Sequence, residues 1–394
     1  MSRLRQTLAA LVAGTLIGTT GLMAVAQDAS TPDSALRAQM AAITLDSSAL
    51  PGGYLFVGEA FLSAEQAVTG DVAADDLGGA GFVTQYVSTY RNSDTGYEIS
   101  SYVSAWTDAA AAESGFAIIE DEATSHPGAT LADTESPVGE TPGETTTGSY
   151  PDSEDETISV NTNDVTFRVD RFLVGVSLNT FDGTVADAAT VGTLAGTLEG
   201  RATAAIGGDN PDGTDLALVP QALPLFDLGT DLQSGFLGRA DVEQMYGLRG
   251  SALSGLDASW SEAVGLGEGE ALQPYLSVGL TTFGKEEDAA SVVEQIDDLA
   301  PQVAGTEKID GVEVEGADTV VAYSFPSLAT GAAEADSVRI VAVTGTALVV
   351  IDVQGAPSAD IAQETAVALA TAQVGCIGAT SCATPELPAD LGGA

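Results

Sequence analysis

Four residues of the chain have the type and setting to touch a ligand. Arg168 and Arg339 each sit in a string of alternating apolar residues, and Tyr54 and Phe236 each follow a glycine. With 57 Asp and Glu against 12 Lys and Arg, a partly buried arginine must meet a carboxylate or offer a site for an anion. A strand-surface pair with a neighbouring acid is the plainer role for both arginines, as core anchoring is for Tyr54 and Phe236. The other constellations fail as motifs. His126 is the single histidine; it lies in the turn-like Ser125-His126-Pro127-Gly128, and no G-x-S-x-G elbow exists to give it a serine. Gly279 to Glu286 nearly spells a phosphate-binding loop, but Glu286 stands where the motif needs Ser or Thr to hold magnesium. Asp209 to Asp215 resembles a calcium loop, yet Gly208 and Val219 occupy the positions of its first and last acidic ligands. Paired carboxylates would suit glycoside hydrolysis, but 57 acids make pairs by chance and the aromatic content of 6% shows no sugar-stacking platform. No catalytic, cofactor-binding or metal-ligating residue is therefore expected. The formal charge of −45 disfavours nucleic acid as a partner, and the spoiled phosphate loop disfavours nucleotides.

The elements that would position these residues come in two rounds. Leu50-Pro51-Gly52-Gly53-Tyr54 has a counterpart in Leu232-Gln233-Ser234-Gly235-Phe236, with Asp46 or Asp227 ahead of it. Tyr97 to Trp106 reads as a strand before a helix at Asp108 to Ala123, as Leu276 to Phe283 does before Glu286 to Leu299. Val165 to Val169 resembles Ser337 to Val341, which matches Arg168 with Arg339. The offsets drift through 182, 177 and 171 (232 − 50, 283 − 106, 339 − 168) but keep their order. Helical faces are expected at Ala112, Phe116, Ile119 and Ala123, and at Ala289, Val292, Val293 and Ile296. Hairpins follow, Val165 to Leu178 and Val338 to Val353, because their connections are too short for a parallel crossover. Strands at Thr157 to Val160 and Thr319 to Phe325 precede them. Each half closes with a helix, one started by Thr184-Val185-Ala186-Asp187 with Val191, Leu194, Ala195 and Leu198 buried, the other by Pro357-Ser358 with Ile361, Ala368, Leu369 and Ala372 buried. The expected fold class is α+β: two tandem related domains, each a mainly antiparallel sheet with helices packed on one face.

The start of the chain reads as a secretory signal. Arg3 and Arg5 precede an apolar run from Thr7 to Ile17, and Ala24-Val25-Ala26 is an A-x-A-like site with cleavage expected before Gln27. The alternative is an uncleaved anchor. The expected organisation is signal peptide 1–26, first repeat 27–208 with an acidic flexible loop at 133–156, linker 209–214, second repeat 215–383, and flexible tail 384–394. Outside the cytoplasm, Cys376 and Cys382, the two cysteines of the chain, are expected to form a disulfide that pins the tail to the last helix. The acidity fits a salty or acidic exterior, and equally fits plain solubility.

This order of elements after a signal segment resembles actinobacterial extracytoplasmic sensor-type domains, which occur as the outer domain of a receptor serine/threonine kinase and in related lipoproteins. The residues that carry the resemblance are Leu50 to Tyr54, the strand-to-helix step at Trp106 to Ala112, and the run Phe167 to Leu198. The resemblance implies a binding or sensing role for a pocket between sheet and helix. The expectation is an exported, non-enzymatic protein of the cell envelope that binds a small ligand or an envelope protein. The alternatives are a secreted carboxylate-dependent hydrolase and a structural envelope protein.

Overall fold

The computed structural model describes residues 34–67, 74–125, 130–136, 138–151, 159–212, 214–225, 228–246, 248, 253–266, 274–303, 305–326, 336–382, 385–388 and 390–391. The expected signal segment and His126 lie outside the described residues. Two units divide the chain, Gln27–Pro211 and Asp212–Ala394. In the first, α1 (Ser34–Ile43) precedes β1 (Tyr54–Leu62), the short helices α2 (Ala64–Ala67) and α3 (Ala74–Gly79), β2 (Phe82–Asn92), β3 (Glu98–Trp106) and α4 (Ala109–Ser125). Four strands follow, β4 (Thr130–Glu135), β5 (Glu140–Pro151), β6 (Ser159–Val169) and β7 (Phe172–Thr180), and α5 (Ala188–Gly207) closes the unit. In the second, β8 (Thr230–Phe236), α6 (Arg239–Tyr246), β9 (Leu256–Gly265), β10 (Tyr275–Phe283) and α7 (Glu286–Leu299) lead into β11 (Glu307–Lys308), β12 (Thr319–Pro326), β13 (Asp336–Thr344), β14 (Ala347–Ala356) and the closing α8 (Ala359–Cys376).

The two sheets have one topology. The first runs β1-β2-β3-β7-β6-β5-β4 and the second β8-β9-β10-β14-β13-β12-β11, with every neighbouring pair antiparallel. The hairpins at their centres are closed by Val169 opposite Phe172 and by Thr344 opposite Ala347. Asp170 (φ 53) and Gly345 (φ 54) fill the same turn position. The twist of a two-residue hairpin demands that left-handed conformation, which glycine adopts freely and Asp tolerates.

Counting outward from these turns corrects the sequence alignment. Asp164, opposite Ser177, corresponds to Arg339, opposite Asp352 (339 − 164 = 175). Arg168 therefore corresponds to Val343, not to Arg339. Val103, opposite Val174 and Tyr86, corresponds to Leu280, opposite Val349 and Trp260 (280 − 103 = 177). Phe61, opposite Tyr86, corresponds to Phe236, opposite Trp260 (236 − 61 = 175), so Tyr54 is not the counterpart of Phe236. The offset is nearly constant, not drifting.

Helices cover both faces of each sheet, not one. On one face of the first sheet, Trp106 and Leu173 pack with Ala112 and Phe116 of α4 and Leu77 of α3. On the other, Ser101 of β3 and Ser88 of β2 bond the backbone of Leu45, in the segment that Arg201 of α5 holds through Thr44 O (2.6 Å) and Asp46 (2.6 Å). Trp106 and Ser101 alternate on β3, so the two helices lie on opposite sides. In the second unit α6 and α7 cover the face of Val341 and Val350, while Gln373 of α8 grips the entering chain at Leu223 N (2.9 Å) on the other side. The physical reason is that the central strands are apolar on both sides: Phe172 to Val174 and Leu348 to Ile351 are buried without a break, and each face needs its own cover.

Local departures follow the same logic. The expected acidic loop at 133–156 is replaced over Thr130–Glu135 and Glu140–Pro151 by β4 and β5, because the open edge of β6 supplies a ladder that their Thr-rich sequence accepts. Residues 152–158 of that stretch lie outside the described set. The strands β1, β2, β8, β9 and β11 lie outside the expected set. α5 begins at Ala188 with Asp187 as its N-cap, accepting from Ala189 N and Thr190 N, so no capping box forms at Thr184. The expected faces at Ala112 and Phe116, at Val191 to Leu198 and on α7 are buried; the side chains of Ile119 and Ala123 lie outside the described set. On α8 the buried stripe is Ala362, Thr365, Ala366, Leu369 and Gln373, shifted from the expected one. Cys376 and Cys382 form the disulfide, and Leu391 of the tail is buried, which a flexible tail would not be.

Candidate functional site

The face of the first sheet that α4 covers turns polar beyond Tyr102. From Asp164 the ladder runs through Ser177, Ser100 and Thr89 in one direction and through Thr146 and Asp133 in the other, all on one face. Thr146 donates to Asp133 (2.7 Å), and Thr89 and Ser100 share a hydrogen bond (3.1 Å). One row nearer the helix, Tyr102 lies over Gly175; a Cβ there would sit 2.2 Å from the Tyr102 ring. The Tyr102 hydroxyl donates to both oxygens of Asp164 (3.3 Å each) and lies 2.5 Å from Thr166 Oγ1, which itself donates to Asp164 (2.9 Å). Burial pushes the Asp164 carboxyl up to about 6 against the pull of these two hydroxyls. Burial, and then the charge of Asp164, raise the Tyr102 phenol well above its ordinary value.

The second sheet carries a different cluster at the same place. Arg339 of β13 donates from Nε to Asp352 Oδ1 (2.6 Å) and from Nη2 to Asp352 Oδ2 (2.8 Å), a side-on bidentate pair. Asp352 is 6% exposed, and the Arg339 side chain is 27% exposed. Burial opposes the charge on Arg339, but the paired carboxylate outweighs it and the net shift is upward. Tyr323 and Lys308 continue the row on one side and Ser277 on the other. Phe325 lies beside the guanidinium, 6.0 Å from its centre. Tyr246 of α6 reaches over Gly279, where a Cβ would meet its hydroxyl at 2.0 Å. That hydroxyl is buried, with Thr281 of β10 beside it. Burial raises the pKa of Tyr246 and of Tyr275, and the Asp352 charge adds to the rise in both. Each unit thus uses a glycine on the sheet to seat a tyrosine beside a charged side chain in its centre, Asp164 in one and Arg339 in the other.

Of the expected contact residues, Arg339 alone belongs to such a cluster. Arg168 pairs with Glu140 (2.7 Å) and donates to Asp170 O (3.2 Å), four residues along β6 from Asp164. Phe236 is a core residue stacked edge-on against Trp260 at 5.1 Å, on the face opposite Arg339. Tyr54 begins β1 at an edge of the first sheet. The sequence reading missed Asp164, Tyr102, Asp352 and Tyr246. A signal was present for two of them: Asp352 interrupts the apolar run Leu348 to Val353, and Asp164 lies mid-strand between threonines, where acids are disfavoured. Among the described residues no group of three His, Cys, Asp or Glu side chains is placed to hold a metal ion, and no helix is long and apolar enough to cross a membrane.

No protein-family model and no curated protein matches the chain. The chain is similar to the extracellular domain of PknH from Mycobacterium tuberculosis. That likeness has 13% identity and a TM-score of 0.32, over 44% of this chain and 98% of that one. A second similarity, to the di-domain ARO/CYC StfQ of the steffimycin biosynthetic pathway, has 10% identity and a TM-score of 0.10 over 70% of each chain. TM-scores this low carry no argument about chemistry.

Proposed function

We propose that the protein is an exported, non-enzymatic binding protein whose two units carry sites of unlike polarity at one position of a shared fold. The observation that supports this reading is the substitution of Asp164 by Arg339 at corresponding points of two sheets with the same topology. A duplicated scaffold retains its apolar layers for stability. A buried charge at its centre is costly to keep and is freer to change where it serves recognition. Thr166 donates to Asp164 but is itself buried against Tyr102, and the carboxylate of the second cluster is paired with Arg339, so binding fits them better than covalent catalysis. The test is a screen of the unfolding temperature against calcium, lipids, glycans and peptides, since a ligand that binds the native state raises the midpoint. A response to one class supports the reading, and a flat profile across the panel counts against it.

A further inference from the structure

We infer that the Cys376–Cys382 bridge is the lock of a clasp at the end of α8, which holds the chain entering the second unit and which a dithiol opens. Three hydrogen bonds make the clasp. Gln373 of α8, fully buried, accepts from Leu223 N (2.9 Å) and donates to Gln221 O (2.8 Å). The Gln221 side chain in turn accepts from Gly378 N (2.7 Å), inside the loop that the bridge closes. The two glutamines thus interlock the entering segment, where Leu218, Val219, Ala222, Leu223 and Leu225 are buried, with groups 150 to 157 residues later in the chain.

The helix end is the weak point of this grip. Gln373 stands three residues before Cys376, the last residue of α8 (376 − 373 = 3), and a final helical turn frays unless something ties it. In the first unit α5 holds the entering chain through Arg201, six residues before its end at Gly207 (207 − 201 = 6). That grip lies more than a turn inside the helix and is charge-assisted, so it holds without a covalent tie. Gln373 has neutral amide bonds alone. Its turn is tied by the bridge, which spans six residues, and by Ala379 N donating to Cys376 O (2.9 Å). Gly378 meets Gln221 in the left-handed conformation (φ 80), which the closed loop favours and an open tail has no reason to keep.

The bridge is also placed for exchange, since Cys376 is buried while Cys382 is partly open. A thiolate of the dithiol attacks the Cys382 sulfur, the S–S bond breaks and Cys376 leaves as a thiolate. The reagent's second thiol then frees Cys382, so the protein gains two thiols and the dithiol becomes a cyclic disulfide. Oxidising surroundings keep the clasp shut. With the bridge gone, the last turn of α8 frays, Gln373 leaves Leu223 and the entering segment lifts. The sheet stays folded, because β13 and β14 pair along their length and α8 remains packed on both through Ala362, Ala366 and Leu369.

The experiment follows hydrogen exchange of the full chain by mass spectrometry, with and without dithiothreitol. The proteins are the wild type, Gln221→Ala and the double variant Cys376→Ser with Cys382→Ser; alkylation and intact mass count the thiols. Reduction of the wild type should speed exchange across residues 218–225 by about thirtyfold, the effect of releasing a loop this short. Strands β13 and β14 should still be protected when that segment has exchanged. Gln221→Ala should speed the same segment several-fold with its bridge intact, the loss of one neutral hydrogen bond. The double variant should match the reduced wild type whether or not dithiothreitol is present. A native protein that yields no thiols in excess dithiothreitol overturns the inference. So does unchanged exchange across 218–225 once two thiols are counted, or a Gln221→Ala variant that exchanges like wild type. Strands that exchange together with the segment overturn it as well, by showing that the bridge staples the whole unit and no local clasp exists.

Discussion

Replacing Asp164 with Asn should make the first unit more stable at neutral pH and leave it unchanged in acid. The carboxyl is held at about 6 in the folded chain, against an ordinary 3.8. A raised carboxyl means that the folded state binds its proton more tightly than the unfolded state. Its stabilising contribution is complete below pH 3.8 and is lost as pH rises through about 6. The shift of about 2 units corresponds to about 3 kcal/mol. Asn keeps the shape and the acceptor for Thr166 and Tyr102 but never ionises. The two proteins should therefore match near pH 4, and by pH 8 the variant should be ahead by about 3 kcal/mol, or roughly 6–12 °C in the midpoint of a unit this size. Subtracting one curve from the other removes the titration of all groups the two share, including Glu144, the β5 carboxylate nearest the cluster. The assay is thermal and urea unfolding at half-unit pH steps. A difference that stays flat between pH 4 and 8, or a variant that falls further behind as pH rises, would show that Asp164 is stabilised as the anion and would refute the reasoning.

Three further outcomes follow from the geometry. Arg201→Ala should destabilise the first unit by about 3–5 kcal/mol in urea unfolding, because it leaves the buried Asp46 carboxylate without its cation. Gly175→Ala should cost about 1–3 kcal/mol by driving Tyr102 off Asp164, and should move the pH-dependent loss of stability described for Asp164. Breaking the Cys376–Cys382 bridge with a double serine variant should lower stability by about 2 kcal/mol, the entropy of closing a loop this short; intact mass after alkylation without reductant should show no free thiol in the wild type.

Much of the architecture was legible because helix and strand periods are local. The stripes Ala289, Val292, Val293, Ile296 and Val191, Leu194, Leu198 follow from spacing alone, and so do the two central hairpins. Register was not legible. The strings around Tyr54 and Phe236 look alike, yet the ladders match Phe236 with Phe61, seven residues away from the apparent counterpart. A short apolar motif is satisfied by many alignments, whereas a hairpin turn fixes one. β4 and β5 escaped for a related reason: a strand rich in Thr, Glu and Gly owes its conformation to the edge it pairs with.

By itself the sequence determined the duplication, the α+β class, the cysteines available for a bridge and the acidic balance, since each depends on composition or on a period of a few residues. Only the tertiary structure decided that Asp164 and Arg339 correspond, that Tyr102 and Tyr246 reach them over glycines from different elements, and that helices close both faces. Those facts join residues far apart in the chain, and cross-strand register is set by the sheet as a whole rather than by any segment of it.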